Sequence, residues 1–512
     1  MVFCRTAGAY RVATELRNHG YTVQVVDHFL LAGLDTTLNI IDKFVGENTL
    51  FVGFSTTFMT VSESYKKELG LYKEAFVLDN FVDGFNKNKP NDFSAPAVWS
   101  FGIPISDSDL QTIKDRVLLR APKAKLVMGG PKSVHHIQKQ IDTFIVGYAD
   151  KTVIQYAKFL QGKNPFFQYR DLGDGRITID NDINADGFDF ENSSIEYDKS
   201  DYIRNGEVLP IETARGCIFR CKFCGYQLNG KNKLDYVRNK EKLYAELMRN
   251  YEKFGVTKYM FSDDTYNDSI EKISHNAEVF QRLPFKLEYA TYLRHDLIHR
   301  FPEMADILKE SGLKSAIFGI ETLNHDSGKV IGKGLAPELT KETLNWLKFD
   351  KGWKDNIMMS SGFIIGLPHD NLKTVEAWSN DLIDKNYPLD SFMIRPLGIK
   401  KEKSKLYMSE FELNYEKYGY YFDSEKSASW INEHWRFEDA VELSNRLTKQ
   451  AYEQGRTVVL GSAAMMLQAY GMTWDELYIT PSDLIYRNIF KRTAEIAKEY
   501  FSKLLTDFNQ LT

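Results

Sequence analysis

"IETARGCIFRCKFCGYQ", residues 211–227, holds three of the chain's four cysteines, Cys217, Cys221 and Cys224, within eight positions. A C-x-x-x-C-x-x-C loop is compact enough for one metal centre to take all three thiolates. Structural zinc takes four closed ligands, usually as two C-x-x-C pairs, and the loop offers neither a fourth cysteine nor a histidine. Three cysteines packed without a metal are the other alternative, at a spacing that chance seldom produces. An iron–sulfur cluster fits the count better: thiolates hold it, and an iron left without a protein ligand is free to bind something else. Three is therefore informative, because an open coordination position is what a reacting cofactor needs.

The sequence downstream of the loop sets its context. "KEKLYAELMRNYEKFG" reads as a helix with Leu243, Leu247, Tyr251 and Phe254 at helical spacing and Gly255 past its end. Strand and helix patterns then alternate: "TKYMFSDD", "EMADILKESG", "LKSAIFGIE", "LTKETLNWLK", "IMMSSGFIIGLP" and "DSFMIRPLG". A run of β/α units closes naturally into a full or partial parallel barrel, where chemistry sits at the C-terminal ends of the strands. The cysteine loop, Asp263, Asp264 and Glu321 all fall at such ends.

Upstream, "YRVATELRNHG" reads as an amphipathic helix. "YTVQVVD", "TLFVGFSTTF", "AKLVMGG" and "DTFIVG" read as strands of a second, doubly wound parallel sheet. Residues 61–100 look like an insertion, and 161–204 like an irregular polar linker. Beyond about 405 the pattern is mostly helical. The uncharged stretch 457–474 reads as a buried strand leading into a core helix rather than a membrane span.

At 512 residues the chain calls for two or three domains, and 43% hydrophobic with 26% charged residues is an ordinary globular balance. The net charge of -5 argues against a protein built to grip nucleic acid, and the basic run at 400–405 reads as a solvated loop. Four cysteines make no disulfide framework, and the N-terminus lacks the pattern of a secretory signal, so a cytoplasmic, reducing compartment is expected.

With Phe223 before its last cysteine, the loop resembles the signature of radical S-adenosylmethionine (SAM) enzymes. "FSDDTYN" is similar to the family's loop that contacts the SAM amino group, which implies that role for Ser262, Asp263 and Asp264. Helix N-capping is their alternative task. "FGIETLNHDSGKVIGKG" resembles a segment that implies Glu321 near the SAM ribose or methionine end, with Lys333 downstream. "SGFIIGLP" resembles the segment that lays backbone, Gly366 included, against adenine, and "IRPLGI" resembles the family's last strand and its turn.

The first 150 residues resemble the cobalamin-binding domain that precedes the barrel in one subfamily. Ser55 and Thr57 stand for its Ser-x-Thr element, Gly129 and Gly130 for its Gly-Gly, and "DTFIVGYAD" for its last segment, with Tyr148 and Asp150 in place of two acids. The loop "FCRTAGAY" has no histidine for cobalt, and His28 reads as a helix-start or surface residue. Cys4 and Arg5 lie in the loop that would face the lower side of the corrin. A scaffold without cobalamin is the competing reading of this domain.

The resemblance implies an α/β chain in four parts: a Rossmann-like, cobalamin-binding-type domain (1–160), a linker (161–204), a radical SAM partial barrel (205–404) and a helical extension (405–512) that selects substrate. It implies a [4Fe-4S] cluster on Cys217, Cys221 and Cys224, SAM, cobalamin, a small-molecule or peptide substrate, and an electron donor such as flavodoxin or ferredoxin. The implied reaction is reductive SAM cleavage followed by methylation of an unactivated carbon. A radical SAM oxidoreductase or cyclase without cobalamin is the runner-up, and a zinc-stabilised binding module the remote one.

Overall fold

The computed structural model describes residues 5–56, 59–61, 103–130, 133, 138–163, 168–181, 188–225, 234–399, 401, 408–422, 430–456 and 482–506. Cys4, Thr57, the bulk of the expected insertion and the stretch 457–474 lie outside the described residues.

Helices α1 (Ala7–Asn18) and α2 (Leu34–Phe44) precede strand β1 (Phe51–Ser55). Strands β2 (Met59–Val61) and β3 (Ile103–Ile105) pair with each other in parallel, and helix α3 (Asp107–Arg120) comes next with Ser106 as its N-cap. Beyond it lie β4 (Lys125–Gly129), β5 (Thr143–Val146), α4 (Thr152–Leu160), β6 (Arg170–Gly173) and β7 (Arg176–Asp180). The resulting five-stranded sheet has the order β1-β4-β5-β7-β6, parallel except for the last hairpin. Side chains alternate along β4 and β5. Leu126, Met128 and Phe144 pack with α2 and α3, while Val127 and Ile145 pack on the opposite face with Tyr156 of α4. Helices therefore cover both faces.

Two expectations are corrected here. Residues 21–26, whose pattern predicts a strand, join no sheet. Side chains occupy their backbone: Arg17 donates twice to the Val23 carbonyl at 2.8 and 3.2 Å, and Gln24 donates to Val25. Conversely, the polar stretch after 160, expected to be irregular, supplies β6 and β7, because Asp174 and Gly175 make a tight turn at positive φ between them.

The second sheet has six parallel strands in strictly sequential order: β8 (Val208–Ile211), β9 (Lys258–Phe261), β10 (Glu288–Leu293), β11 (Leu313–Glu321), β12 (Met358–Ile365) and β13 (Ser391–Pro396). The connecting helices are α5 (Lys240–Phe254), α6 (Ile270–Gln281), α7 (His295–Arg300), α8 (Met304–Glu310), α9 (His325–Ile331), α10 (Pro337–Asn345) and α11 (Leu372–Ile383). Helix α5 shows the local logic: Asn239 caps its N-terminus, and Gly255 ends it in the left-handed region. Leu209, Phe261, Tyr289, Phe318, Met359 and Phe392, one from each strand, share a single core with these helices. Alternate residues such as Val208, Met260 and Ala290 form a separate cluster on the other face. Parallel order without reversal, with helices on one face only, is the arrangement of a partial barrel.

The C-terminal segment contains α12 (Glu410–Leu413), a hairpin of β14 (Tyr421–Phe422) and β15 (Trp430–Ile431), α13 (Phe437–Glu453) and α14 (Ser482–Thr506). Its rings Trp430, Trp435 and Phe437 join the barrel's core, while Tyr500 and Phe501 of α14 pack beside α2. Among the described residues no helix is long and apolar enough to cross a membrane.

Candidate active site at the strand ends

The cysteine loop leaves the C-terminal end of β8 and is held by backbone as well as side chains. Asp263, just past β9, is fully buried; it accepts from Thr213 N at 2.8 Å, Thr213 Oγ1 at 2.6 Å and Ala214 N at 3.2 Å, with Lys272 Nζ at 3.4 Å. Farther along, Lys222 N donates to the Ile331 carbonyl, and Phe411 N of α12 donates to the Lys222 carbonyl. The loop is thus clamped from β9, from α9 and from the C-terminal segment.

No disulfide joins Cys217, Cys221 and Cys224; the first is buried and the others are half-buried. Cys217 Sγ meets Thr265 Oγ1 at 3.4 Å and accepts from Phe219 N at 3.5 Å. Cys221 Sγ accepts from Arg294 Nη1 at 3.7 Å. Burial pushes the Cys217 thiol up. Among the described residues no group of three His, Cys, Asp or Glu side chains could hold a single metal ion. Three thiolates leave one iron of a four-iron cluster without a protein ligand, whereas closed structural zinc takes four.

Of the residues assigned to SAM by resemblance, Asp263 is already engaged as described. Ser262 is exposed and Asp264 half-buried. Burial, with Asp263 beside it, pushes the Asp264 carboxyl up to about 6, and among the described residues it makes no hydrogen bond or ion pair. Glu321 ends β11 at φ 69, in the left-handed region uncommon for a non-glycine residue, where the β11–β12 register shifts. Lys333 reaches back to it, with Nζ 2.5 Å from the Gly319 carbonyl and 3.4 Å from Glu321 Oε1. The strain and the ion pair aim Glu321 over the strand ends. At Gly366 the carbonyl accepts from Tyr420 at 2.8 Å, and Trp430 lies where a Cβ would be.

On the first sheet, Ser55 and Gly129 are register partners at adjacent strand ends, and Gly130 comes next with φ 100. Small residues and a turn away from the sheet leave backbone at that edge for a flat ligand to approach. Arg5 is buried, with its guanidinium on Glu207, Asp27, Tyr10 and two carbonyls, so it is turned toward the barrel. His28 is buried rather than on the surface, at φ 49, where it leads into a short 3-10 turn.

Three further functional candidates carry no motif of their own. Arg294 lies just past β10, a strand whose "EYATYL" lacks a Val/Ile run. Tyr292, two residues before it, is 40% exposed on the face opposite the helices. Arg215, two residues before Cys217, forms a bidentate pair with Asp150 at 3.0 and 3.2 Å. Its guanidinium also stacks between Tyr148 and Phe190. Tyr148 and Asp150 thus face the barrel. The one signal for the two arginines in the sequence is position: each lies just past a strand of a β/α barrel.

Residues 211–382 match the model of the radical SAM superfamily, and this stretch is a radical SAM domain. The fold of the whole chain is similar to those of two solved radical SAM enzymes. It superposes on the radical S-adenosylmethionine methyltransferase TsrM from Kitasatospora setae, solved with cobalamin and a [4Fe-4S] cluster bound, with a TM-score of 0.60, 14% identity and 97% coverage of both chains. The cobalamin-dependent S-adenosylmethionine radical enzyme OxsB superposes with a TM-score of 0.51 at 14% identity over 98% of this chain and 70% of that one. At such identities the likeness is one of fold. An uncharacterized methyltransferase from Pyrococcus horikoshii is 27% identical over 181 residues, a match spanning 35% of this chain and 37% of that relative.

Proposed function

We propose that the protein is a cobalamin-dependent radical SAM methyltransferase. The observation that carries this reading is the juxtaposition of two strand-end sites. Three cysteines follow the first strand of the sequential parallel sheet, and Arg215 in the same loop is paired with Asp150, which lies past β5 of the sheet bearing Ser55, Gly129 and Gly130. TsrM and OxsB, which share the whole-chain fold, bind cobalamin, and TsrM has been solved with a tryptophan substrate and a SAM analogue.

Cys217, Cys221 and Cys224 hold a [4Fe-4S] cluster in this reading, and Ser55, Gly129 and Gly130 form part of the bed for cobalamin. When bound, these groups supply one-electron cleavage of SAM and a transferable methyl group. The chain's own residues orient and enclose. Asp263 fixes the backbone on which the cysteine loop starts. Asp264, whose carboxyl makes no hydrogen bond among the described residues, is placed to accept from the SAM ammonium. Glu321, steadied by Lys333, faces the same strand ends and serves the ribose or methionine end. Helix α12, which meets the cysteine loop through Phe411 N and the Lys222 carbonyl, belongs to the C-terminal extension that selects substrate in this reading.

Anaerobic reconstitution of the full chain with iron, sulfide and hydroxocobalamin, with desalting afterwards, tests this directly. Cluster absorption with stoichiometric corrin bands is expected, and Cys217→Ala, Cys221→Ala or Cys224→Ala should abolish the cluster and SAM cleavage while leaving the corrin bands. Normal 5′-deoxyadenosine formation by a Cys→Ala variant would overturn the cluster assignment. A cluster without retained corrin would demote the first sheet to a scaffold and favour a radical reaction that uses SAM alone.

A further inference from the structure

The geometry points to Arg294 as the residue that sets the reduction potential of the cluster, acting through the Cys221 thiolate; this rests on the cluster assignment above but not on cobalamin. Arg294 is 5% exposed and its fork is divided between two tasks. Nε and Nη2 face Asp296, at 2.9 Å to Oδ1 and 2.5 Å to Oδ2, and Nη2 also donates to the Gly332 carbonyl at 3.2 Å. Nη1 is directed the other way, to Cys221 Sγ at 3.7 Å, while the guanidinium carbon lies 3.9 Å from the centre of the Phe219 ring. The Arg294–Asp296 pair therefore presents its positive end to the cysteine loop and its negative end away from it.

The placement is built in rather than incidental. Asn267, in the loop after β9, donates from its amide to the Arg294 carbonyl at 2.9 Å and accepts from Arg294 N at 2.8 Å, fixing the backbone in both directions. The stacked Phe219 belongs to the cysteine loop itself, between Cys217 and Cys221, so Arg294 reads the position of that loop by ring contact and by hydrogen bond at once. Cys217 Sγ donates to the neutral Thr265 Oγ1 and accepts from the backbone N–H of Phe219, whereas the donor on Cys221 is a charged guanidinium.

Cluster potentials respond to hydrogen bonds on the sulfurs and to net charge nearby. A cluster held by these cysteines would gain one negative charge on accepting an electron from a low-potential one-electron donor, which would be oxidised, with no bond formed or broken in the protein and no proton moved at Arg294. A guanidinium N–H aimed at a ligand sulfur stabilises the more negative form, so Arg294 raises the potential and eases that electron transfer. It is a positioning and tuning residue, since it touches a ligand of the cluster and not the substrate.

The test is an EPR-monitored redox titration of the full chain, reconstituted with iron and sulfide alone, with dithionite as reductant. Arg294→Gln should keep iron and sulfide content and titrate at a more negative potential. Asp296→Asn, which removes the counter-charge and leaves the guanidinium, should shift it the opposite way. Arg294→Lys, which keeps a point charge without the fork, should fall between wild type and Arg294→Gln. An unchanged potential in Arg294→Gln, or shifts of the same sign in Arg294→Gln and Asp296→Asn, would overturn the inference. Loss of the cluster from both Arg294→Gln and Arg294→Lys would also overturn it, in favour of a purely structural contact. A wild-type chain that assembles no cluster would sink the functional reading itself, a result separate from all of these.

Discussion

Asp263 commits both carboxylate oxygens to Thr213 and Ala214 and faces Lys272, whereas the adjacent Asp264 accepts from Thr265 Oγ1 at its main-chain carbonyl and its carboxyl makes no hydrogen bond among the described residues. A carboxylate that organises buried donors is structural, and one left half-buried at a strand end is available to a cationic ligand. Asp263→Asn should therefore cost about 3 kcal/mol of stability and impair cluster assembly, because Lys272 and the loop amides lose a buried charge partner. Asp264→Asn should keep the cluster and its thermal stability while weakening SAM binding about tenfold, the loss of one charge-assisted hydrogen bond. Thermal melts and SAM titration of the two variants separate these roles; equal SAM affinity in Asp264→Asn and wild type would remove the contact. Sequence places both carboxylates at the right strand end but cannot divide the work between them. That division depends on which backbone amides of residues 213 and 214 turn toward β9, a matter of tertiary packing. Arg294 and Arg215 are invisible in sequence for a related reason: an arginine after a strand has no pattern until its partner, 73 residues away for Cys221 and 65 for Asp150, is in place.

Strand β12 leads into Gly366, where φ is 91 and a Cβ would come within 2.2 Å of the Trp430 indole. Trp430 also donates from Nε1 to the Leu397 carbonyl at 2.7 Å, and Tyr420 donates to the Gly366 carbonyl. The ends of β12 and β13 are thus roofed by the β14–β15 hairpin through glycine and a buried tryptophan. Gly366→Ala combines left-handed strain with overpacking and should destabilise the protein by about 2–3 kcal/mol. Chemical denaturation would show this as a lower midpoint, and a change below about 0.5 kcal/mol would mean that the hairpin shifts freely over the strand end. The elements of the barrel are largely legible in sequence, since β8, β9, β11, β12 and β13 each carry a buried apolar run ahead of a helical pattern. Strand β10 is not, because Glu288, Thr291 and Tyr292 dilute its run. Residues 21–26 mislead in the other direction: their Val-rich pattern satisfies a strand rule, yet Arg17 and Tyr500 occupy carbonyls that a sheet partner would need. The hairpin of β6 and β7 hides in polar sequence because an edge needs only one apolar face.

The two sheets are joined by charge as much as by apolar contact. Arg11 of α1 donates to Glu212 at 2.9 Å, Arg215 binds both Glu212 and Asp150, and Arg17 pairs with Asp201, while Tyr10 and Ala13 of α1 enter the barrel's core. Burial opposes ionisation of Glu212, but Arg215 and Arg11 hold its carboxyl down to about 2, so the network stays charged across the physiological range. Arg215 and Asp150 are almost buried, and removing one partner of such a pair costs more than the pair contributes, about 3–5 kcal/mol. Its location gives that cost a functional direction. Asp150 lies past β5 beside the small-residue edge of the first sheet, and Arg215 stands two residues before Cys217, so the pair fixes the separation of the two proposed cofactor sites. Asp150→Asn leaves Arg215 bound to Glu212 and the cysteines untouched, which makes it the informative variant. It should retain iron and sulfide, lose protection from amide hydrogen exchange both near 148–150 and near 211–217, and retain less corrin after desalting than wild type. If exchange rises only near 148–150, the cysteine loop is held by Asp263 and α12 alone, and the spacing between the sheets is set instead by the apolar packing of α1.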